Sequence, residues 1–171
     1  KKLHEFAFSF EEDGFRTNDM MALSEHLTAT SAITQLALQK EPDQRIWATR
    51  ADGTLLTFTY LRPQSVAAWS RQVTQGAFTS AAIIPGSGSL SEVWVIVRRT
   101  INGATRRYVE VFDLAGLYYP TLNTDSALTY DGPPVASVSG LGHLENMLVK
   151  IVADGFVYPD QVVAGGTIHL D

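Results

Sequence analysis

The chain has 171 residues and no cysteine, so it has neither a disulfide framework nor a thiolate metal site. Its net charge of -5 argues against a domain whose main task is to grip nucleic acid, because phosphate binding relies on clustered Lys and Arg. Hydrophobic residues make up 45% and charged residues 18%, a composition that indicates surface covered by neighbouring subunits.

The N-terminal segment, residues 1–30, is predicted to contain one short helix over residues 18–28. Asn18 or Asp19 would cap it. The acidic stretch before it lacks the alternating ligand spacing of a calcium loop, which favours a solvated turn ending at Gly14. The apolar face of the helix would comprise Met20, Leu23 and Leu27.

Residues 31–121 read as a series of antiparallel strands. Runs rich in β-branched and aromatic residues alternate with Asx-Gly pairs, which accept the positive φ angles of tight hairpin turns. The predicted strands are residues 33–39, 45–50, 54–60, 66–74, 78–84, 92–101 and 105–112. The Asx-Gly pairs here are Asp52-Gly53 and Asn102-Gly103, and two more, Asp131-Gly132 and Asp154-Gly155, follow in the rest of the chain.

A repeat is visible in this region. Trp47 and Trp94 each lie in a strand that follows an apolar strand and a proline-containing loop, and an Asx-Gly turn and an aromatic strand come next. Such units predict two propeller-blade-like sheets with the two tryptophans at equivalent places. A plain β-sandwich with two chance-similar hairpins is the alternative.

From residue 122 the chain changes character, and residues 122–171 are predicted to form a small β-barrel-like domain. Its strands would span residues 127–130, 135–138, 148–153, 156–158 and 167–170, with one helical turn at 141–146. The fold class is therefore all-β with one short helix. The sequence starts without Met and stops in a strand-like alternation, typical of a piece of a longer protein. The predicted core of this domain is Val138, Leu141, Leu144, Val149, Ile151 and Val163.

No catalytic or metal-binding constellation emerges, so we expect no enzyme activity, no cofactor and no metal. The glycine-serine loop at residues 86–91 lacks the third glycine of a dinucleotide fingerprint and precedes a strand. His143 and Glu145 are the nearest approach to an acid/base pair, but their side chains would diverge. No apolar run approaches the roughly 20 residues of a membrane-spanning helix.

Four arginines bracket the predicted turn at Asn102-Gly103, namely Arg98, Arg99, Arg106 and Arg107. They are the candidates for a subunit-interface or DNA-facing surface, since guanidinium groups bind carboxylates and phosphates bidentately. The alternative is that they lie on the sheet and pair with Glu92, Glu110 or Asp113, a charged edge that blocks strand addition.

Several segments, taken in order, resemble the tail nozzle proteins of short-tailed phages and prophages, also called DNA stabilisation or tail tubular proteins. The resemblance covers about residues 6–112 and parts of the segment that follows. The segments are residues 8–15 (FSFEEDGF), 23–27 (LSEHL), 39–42 (QKEP), 46–56 (IWATRADGTLL), 94–103 (WVIVRRTING), 128–132 (LTYDG) and 140–145 (GLGHLE).

The resemblance implies a structural virion protein with propeller-like β domains, made in the bacterial cytoplasm and located in the virion tail. Its subunits would form a sixfold ring between an adaptor and distal tail proteins, holding double-stranded DNA without sequence specificity and conducting it during ejection. The family has no catalytic residues to carry over. The alternative function is a receptor- or glycan-binding tail module in which Trp69, Tyr118 or Tyr119 would stack on sugar rings.

Overall fold

The computed structural model describes residues 2–86, 90–112, 124–125 and 127–170. The protein is mostly β, with several antiparallel sheets and one short helix near the N-terminus, as predicted. It divides into two compact units, each described by itself. Unit 1 comprises Lys1–Arg99 with Arg107–Asp125, and unit 2 comprises Thr100–Arg106 with Ser126–Asp171.

Unit 1 begins with a hairpin that the sequence did not predict. Strands β1 (His4–Ser9) and β2 (Gly14–Asp19) pair antiparallel. The acidic stretch between them forms a turn that ends at Gly14, as expected, with Asp13 at a φ of 46°.

The helix predicted over residues 18–28 was largely wrong, because only α1 (His26–Ala29) is helical. Asn18 and Asp19 do not cap it. They close β2 opposite β1, where the Asp19 carboxylate accepts the backbone N–H of Met21 at 2.8 Å. The backbone N–H groups at the start of the predicted helix therefore find their partners through strand pairing.

Sheet 1 holds four antiparallel strands in the order β3-β4-β5-β6. Two of them have the predicted bounds, and the other two differ by a few residues at their ends. The strands are β3 (Ile33–Gln39), β4 (Arg45–Arg50), β5 (Leu55–Leu61) and β6 (Val66–Gln72).

Sheet 2 holds β7 (Ala77–Pro85), β8 (Ser91–Ile101) and β9 (Ala104–Val111) in the order β7-β8-β9. The turn between β8 and β9 has both central residues at positive φ, Asn102 at 50° and Gly103 at 74°. This is the primed hairpin turn that the Asx-Gly pair predicted.

The two sheets of unit 1 stack face to face around one apolar core. Trp47 from sheet 1 contacts Phe112, with ring centroids 4.9 Å apart, and lies among buried valines of β8. The Gln35 side chain accepts the N–H of Ala81 at 3.1 Å, which holds β3 beside β7. The remaining buried members of the core are Leu55, Phe78, Ala81, Val93, Val95 and Val97.

Trp47 and Trp94 occupy corresponding strands but differ in their surroundings. Each lies in the second strand of its sheet. Trp47 points between the sheets and is buried, whereas Val93 and Val95 point there from β8, so Trp94 faces away from sheet 1. The corresponding position in the second strand thus faces sheet 2 in sheet 1, and faces away from sheet 1 in sheet 2.

Gly53 makes the close approach of the sheets possible. It has a φ of 87°, and a Cβ atom there would lie 2.5 Å from the Cβ of Ala77. The carbonyl of Gly53 also accepts the N–H of Phe78 at 2.8 Å. Only glycine therefore fits where the β4–β5 turn meets the start of β7.

Unit 2 contains two two-stranded sheets rather than a closed barrel in its described residues. The strand predicted at 127–130 is absent, and Asp131-Gly132 joins no hairpin. The 3-10 turn at Gly142–Leu144 and the predicted core were correct, with Leu141, Ile151 and Val163 buried beside Ile168. The paired strands are β10 (Ser137–Ser139) with β13 (Thr167–His169) and β11 (Leu148–Ala153) with β12 (Phe156–Val162).

The N-terminal hairpin is held on sheet 1 by a partly buried carboxylate. Glu5 accepts the hydroxyl of Tyr60 at 2.6 Å and the side-chain amide of Asn18 at 3.0 Å, and it pairs with Arg62. The Tyr60 and Asn18 hydrogen bonds hold the pKa of Glu5 below its ordinary value of 4.5.

This contact predicts an acid-sensitive stability. A lowered carboxyl pKa stabilises the fold above the unfolded-state value and loses that stabilisation as pH falls through the folded value. We expect the parent chain to lose more unfolding free energy than Glu5→Gln between about pH 7 and about pH 3 in urea denaturation. Parallel losses in the two proteins would contradict this, because the other carboxylates are common to both.

Candidate subunit interface

The β8–β9 hairpin presents its arginines on two different faces. Val93, Val95 and Val97 point into the core, and Arg99 follows them on that side, whereas Arg98 lies on the exposed side. The alternation of the strand, and not the spacing of the four arginines, decides which guanidinium meets which partner.

Arg99 is engaged within its own subunit. Its side chain is only 13% exposed and binds Glu110 bidentately through one guanidinium edge, Nε to Oε1 at 2.5 Å and Nη2 to Oε2 at 2.7 Å. It also donates to the carbonyl of Gln75 at 3.0 Å and to Asp125 at 2.9 Å. The bond to Glu110 is the main cause that raises the pKa of Arg99 above its ordinary value.

Asp125 completes this cluster from a distant part of the chain. It accepts the hydroxyl of Thr74 and the backbone N–H of Gln75, the latter at 3.1 Å. Burial opposes the charge of Asp125, but the Arg99 and Thr74 hydrogen bonds outweigh it and lower the pKa of this carboxyl. Arg99 thus links β9 to the segment before β7, residues 74–75, as a structural contact.

The other three arginines remain available to a partner. Arg98, Arg106 and Arg107 are exposed, and none forms an ion pair within the described part of the chain. Ion pairs within the sheet were the alternative role predicted for the arginines from the sequence, and Arg99 forms such a pair with Glu110. The assignment of the four arginines to a subunit or DNA contact stays a prediction.

Other residues singled out by the sequence have structural roles where the structure describes them. Glu145 accepts the backbone N–H groups of Gly165 and Gly166 at 2.9 and 2.7 Å, so it supports a turn and does not pair with His143. Trp69 stacks on Phe58 at 4.6 Å and donates its indole N–H to the Met20 carbonyl at 2.8 Å. Tyr118, Tyr119 and Asp113 lie outside the described residues, as do residues 87–89 of the 86–91 loop.

No group of three or more His, Asp or Glu side chains suited to a metal ion occurs among the residues whose structure is described. Within the same residues, no helix is long and apolar enough to cross a membrane.

An aromatic surface on the β1–β2 hairpin was missed by sequence reasoning. Its four phenylalanines, which we call the phenylalanine face, share one side of the hairpin and its turn, and all are exposed. The signal was present, because three of them alternate at every second position, the period of a strand. The members are Phe6, Phe8, Phe10 and Phe15.

No protein-family model matches the chain, and no curated protein matches it at a significant level.

Proposed function

We propose that the chain is a non-enzymatic structural part of a phage tail nozzle, the ring that retains packaged DNA and conducts it during ejection. The observation that carries the proposal is where two of the nozzle-like segments lie. Residues 46–56 and 94–103 each contain the tryptophan strand of a blade-like sheet and the Asx-Gly turn that follows it. A repeated blade is the unit of a propeller-like β domain.

The charges support a conduit more than a DNA grip. The chain carries a net charge of -5, and the best-placed arginine, Arg99, is neutralised by Glu110 and Asp125. A channel must not bind a polyanion tightly if DNA is to slide through it, because each phosphate contact adds affinity. The proposed partners are other copies in a sixfold ring, an adaptor above and distal tail proteins below.

The binding-module alternative receives less support from the site. Trp69, its best aromatic candidate among the described residues, has one ring face stacked on Phe58 and its indole N–H bonded to the Met20 carbonyl. Both contacts serve packing within the chain. We therefore propose a structural role in the virion tail rather than the binding module.

DNA retention tests this function directly. In a phage that encodes the chain, particles assembled without the protein are expected to package DNA and then lose it to nuclease, because the exit of the channel stays open. Adding back the protein that carries this chain should restore nuclease-protected DNA. Particles that retain their DNA but fail to adsorb to host cells would contradict the nozzle and favour the binding module.

A further inference from the structure

Unit 1 exposes an aromatic surface at its N-terminal end. On the phenylalanine face, Phe6 and Phe15 stack with centroids 4.8 Å apart, and Phe8 meets Phe10 and Phe15 edge-on at 5.2 and 5.4 Å. Phe10 is 92% exposed at the turn. Contiguous aromatic surface of this kind marks interaction sites in soluble proteins.

Acidic groups border this face. Glu11, Glu12 and Asp13 form the exposed turn beside Phe10. Glu12 makes one long contact of 3.9 Å with Arg16, between side chains that are both largely solvated. The phenylalanine face therefore has an apolar centre and a negative rim.

The outer side of sheet 2 has the opposite charge. Phe112 packs in the core and donates its N–H to the Val93 carbonyl at 2.9 Å. By strand alternation, β9 then turns its exposed side chains away from sheet 1, as β8 does with Arg98. We call this surface the valine–arginine face, and its members are Arg98, Arg107, Val109 and Val111.

These two faces lie at opposite ends of the layers of unit 1. Sheet 2 packs on the side of sheet 1 that carries Trp47 and Leu55. The other side of sheet 1 carries Tyr60, which binds the N-terminal hairpin through Glu5. The order of layers is therefore N-terminal hairpin, sheet 1 and sheet 2. Glu5 lies on the side of β1 opposite to the phenylalanines, so their face points away from the stack.

We infer that the phenylalanine face of one copy docks on the valine–arginine face of a second copy, head to tail. The aromatic rings would cover Val109 and Val111, and the acidic turn would pair with Arg98 and Arg107, whose guanidinium groups also bind aromatic faces. This inference rests on the proposed function in one respect, since a ring needs a head-to-tail contact between successive subunits. The acidic rim disfavours an anionic membrane as the occupant.

Two complementary variants test the contact. Phe10→Ser with Phe15→Ser disrupts the phenylalanine face. Arg107→Glu with Val109→Ser disrupts the valine–arginine face. In sedimentation velocity over a concentration series, we expect each variant alone to associate at least about tenfold more weakly than the parent chain. An equimolar mixture should form a dimer and nothing larger, because one intact copy of each face remains.

A matched control separates this contact from general stickiness. Val152→Ser with Phe156→Ser removes exposed apolar side chains from unit 2 and should leave association unchanged. Unchanged far-UV circular dichroism and urea midpoints would show that the two test variants fold. Phe10→Ser alone, which changes one fully exposed turn residue, provides a milder version of the first variant.

Four outcomes would overturn the inference. A parent chain that stays monomeric at every concentration would do so, as would variants that associate like the parent. A mixture that forms no dimer would exclude head-to-tail docking. If only a longer protein that contains this chain assembles, and the substitutions do not affect its assembly, the inference is also overturned. A further sheet of that protein would then cover the valine–arginine face. None of these results alters the DNA-retention test, so the nozzle proposal stands or fails separately.

Discussion

Replacing Trp47 with Ala is expected to lower the free energy of unfolding by about 3–5 kcal/mol. The indole is buried between the two sheets of unit 1 and contacts Phe112. Its N–H donates at 2.8 Å to the side chain of Gln39, which is itself fully buried, so the substitution also leaves a polar group without its partner. Urea denaturation followed by circular dichroism measures the loss.

Trp94→Ala is the matched control for this substitution. Trp94 occupies the corresponding strand but faces away from the core, and its indole N–H binds the neighbouring Glu92. We expect a loss of about 1–2 kcal/mol. Should Trp47→Ala fail to fold, Trp47→Phe keeps most of the ring and isolates the Gln39 hydrogen bond. Equal losses at the two tryptophans would refute the assignment of the core to the space between the sheets.

Arg99→Ser is expected to destabilise unit 1 by about 1.5–3 kcal/mol, the range for hydrogen bonds to charged groups. The substitution leaves the partly buried Glu110 and the more exposed Asp125 without their shared cation. A double-mutant cycle with Glu110→Gln measures the coupling, because the cycle isolates the pairwise term.

Arg98→Ser provides the control at the adjacent position. Arg98 is exposed and has no ion-pair partner among the described residues, so a change within about 0.5 kcal/mol is expected. The difference between the two positions separates the roles of the arginines, since Arg99 serves the fold and Arg98 remains free for a partner. An Arg99→Ser protein as stable as the parent would contradict the structural role.

The strands and turns of this protein are largely local properties of its sequence. The bounds of β3, β4 and β11 follow from runs of apolar and β-branched residues between turn signals. Asn102-Gly103 and Asp154-Gly155 form hairpin turns with positive φ because those residue types tolerate the left-handed region. The core of unit 2 was predictable for the same reason, since alternation decides which side of a strand is apolar.

Other features depend on partners that lie far away in sequence. Residues 18–28 have helical spacing, yet Leu23 is 98% exposed, while Met21 is buried. Pairing of Asn18 and Asp19 with β1 removes the start of that helix. No local pattern distinguishes Arg99 from Arg98 as the residue that meets Asp125, because that contact spans 26 residues.

Local sequence patterns thus predict the all-β class, the doubled tryptophan strand, and most of the strands and hairpin turns from residue 33 onward. The tertiary structure decided which side of each strand is covered, and so which residues are free to bind. Trp47 is buried and Trp94 faces outward, although their local sequences are alike. The physical reason is that alternation defines two sides of a strand without saying which side another layer will cover.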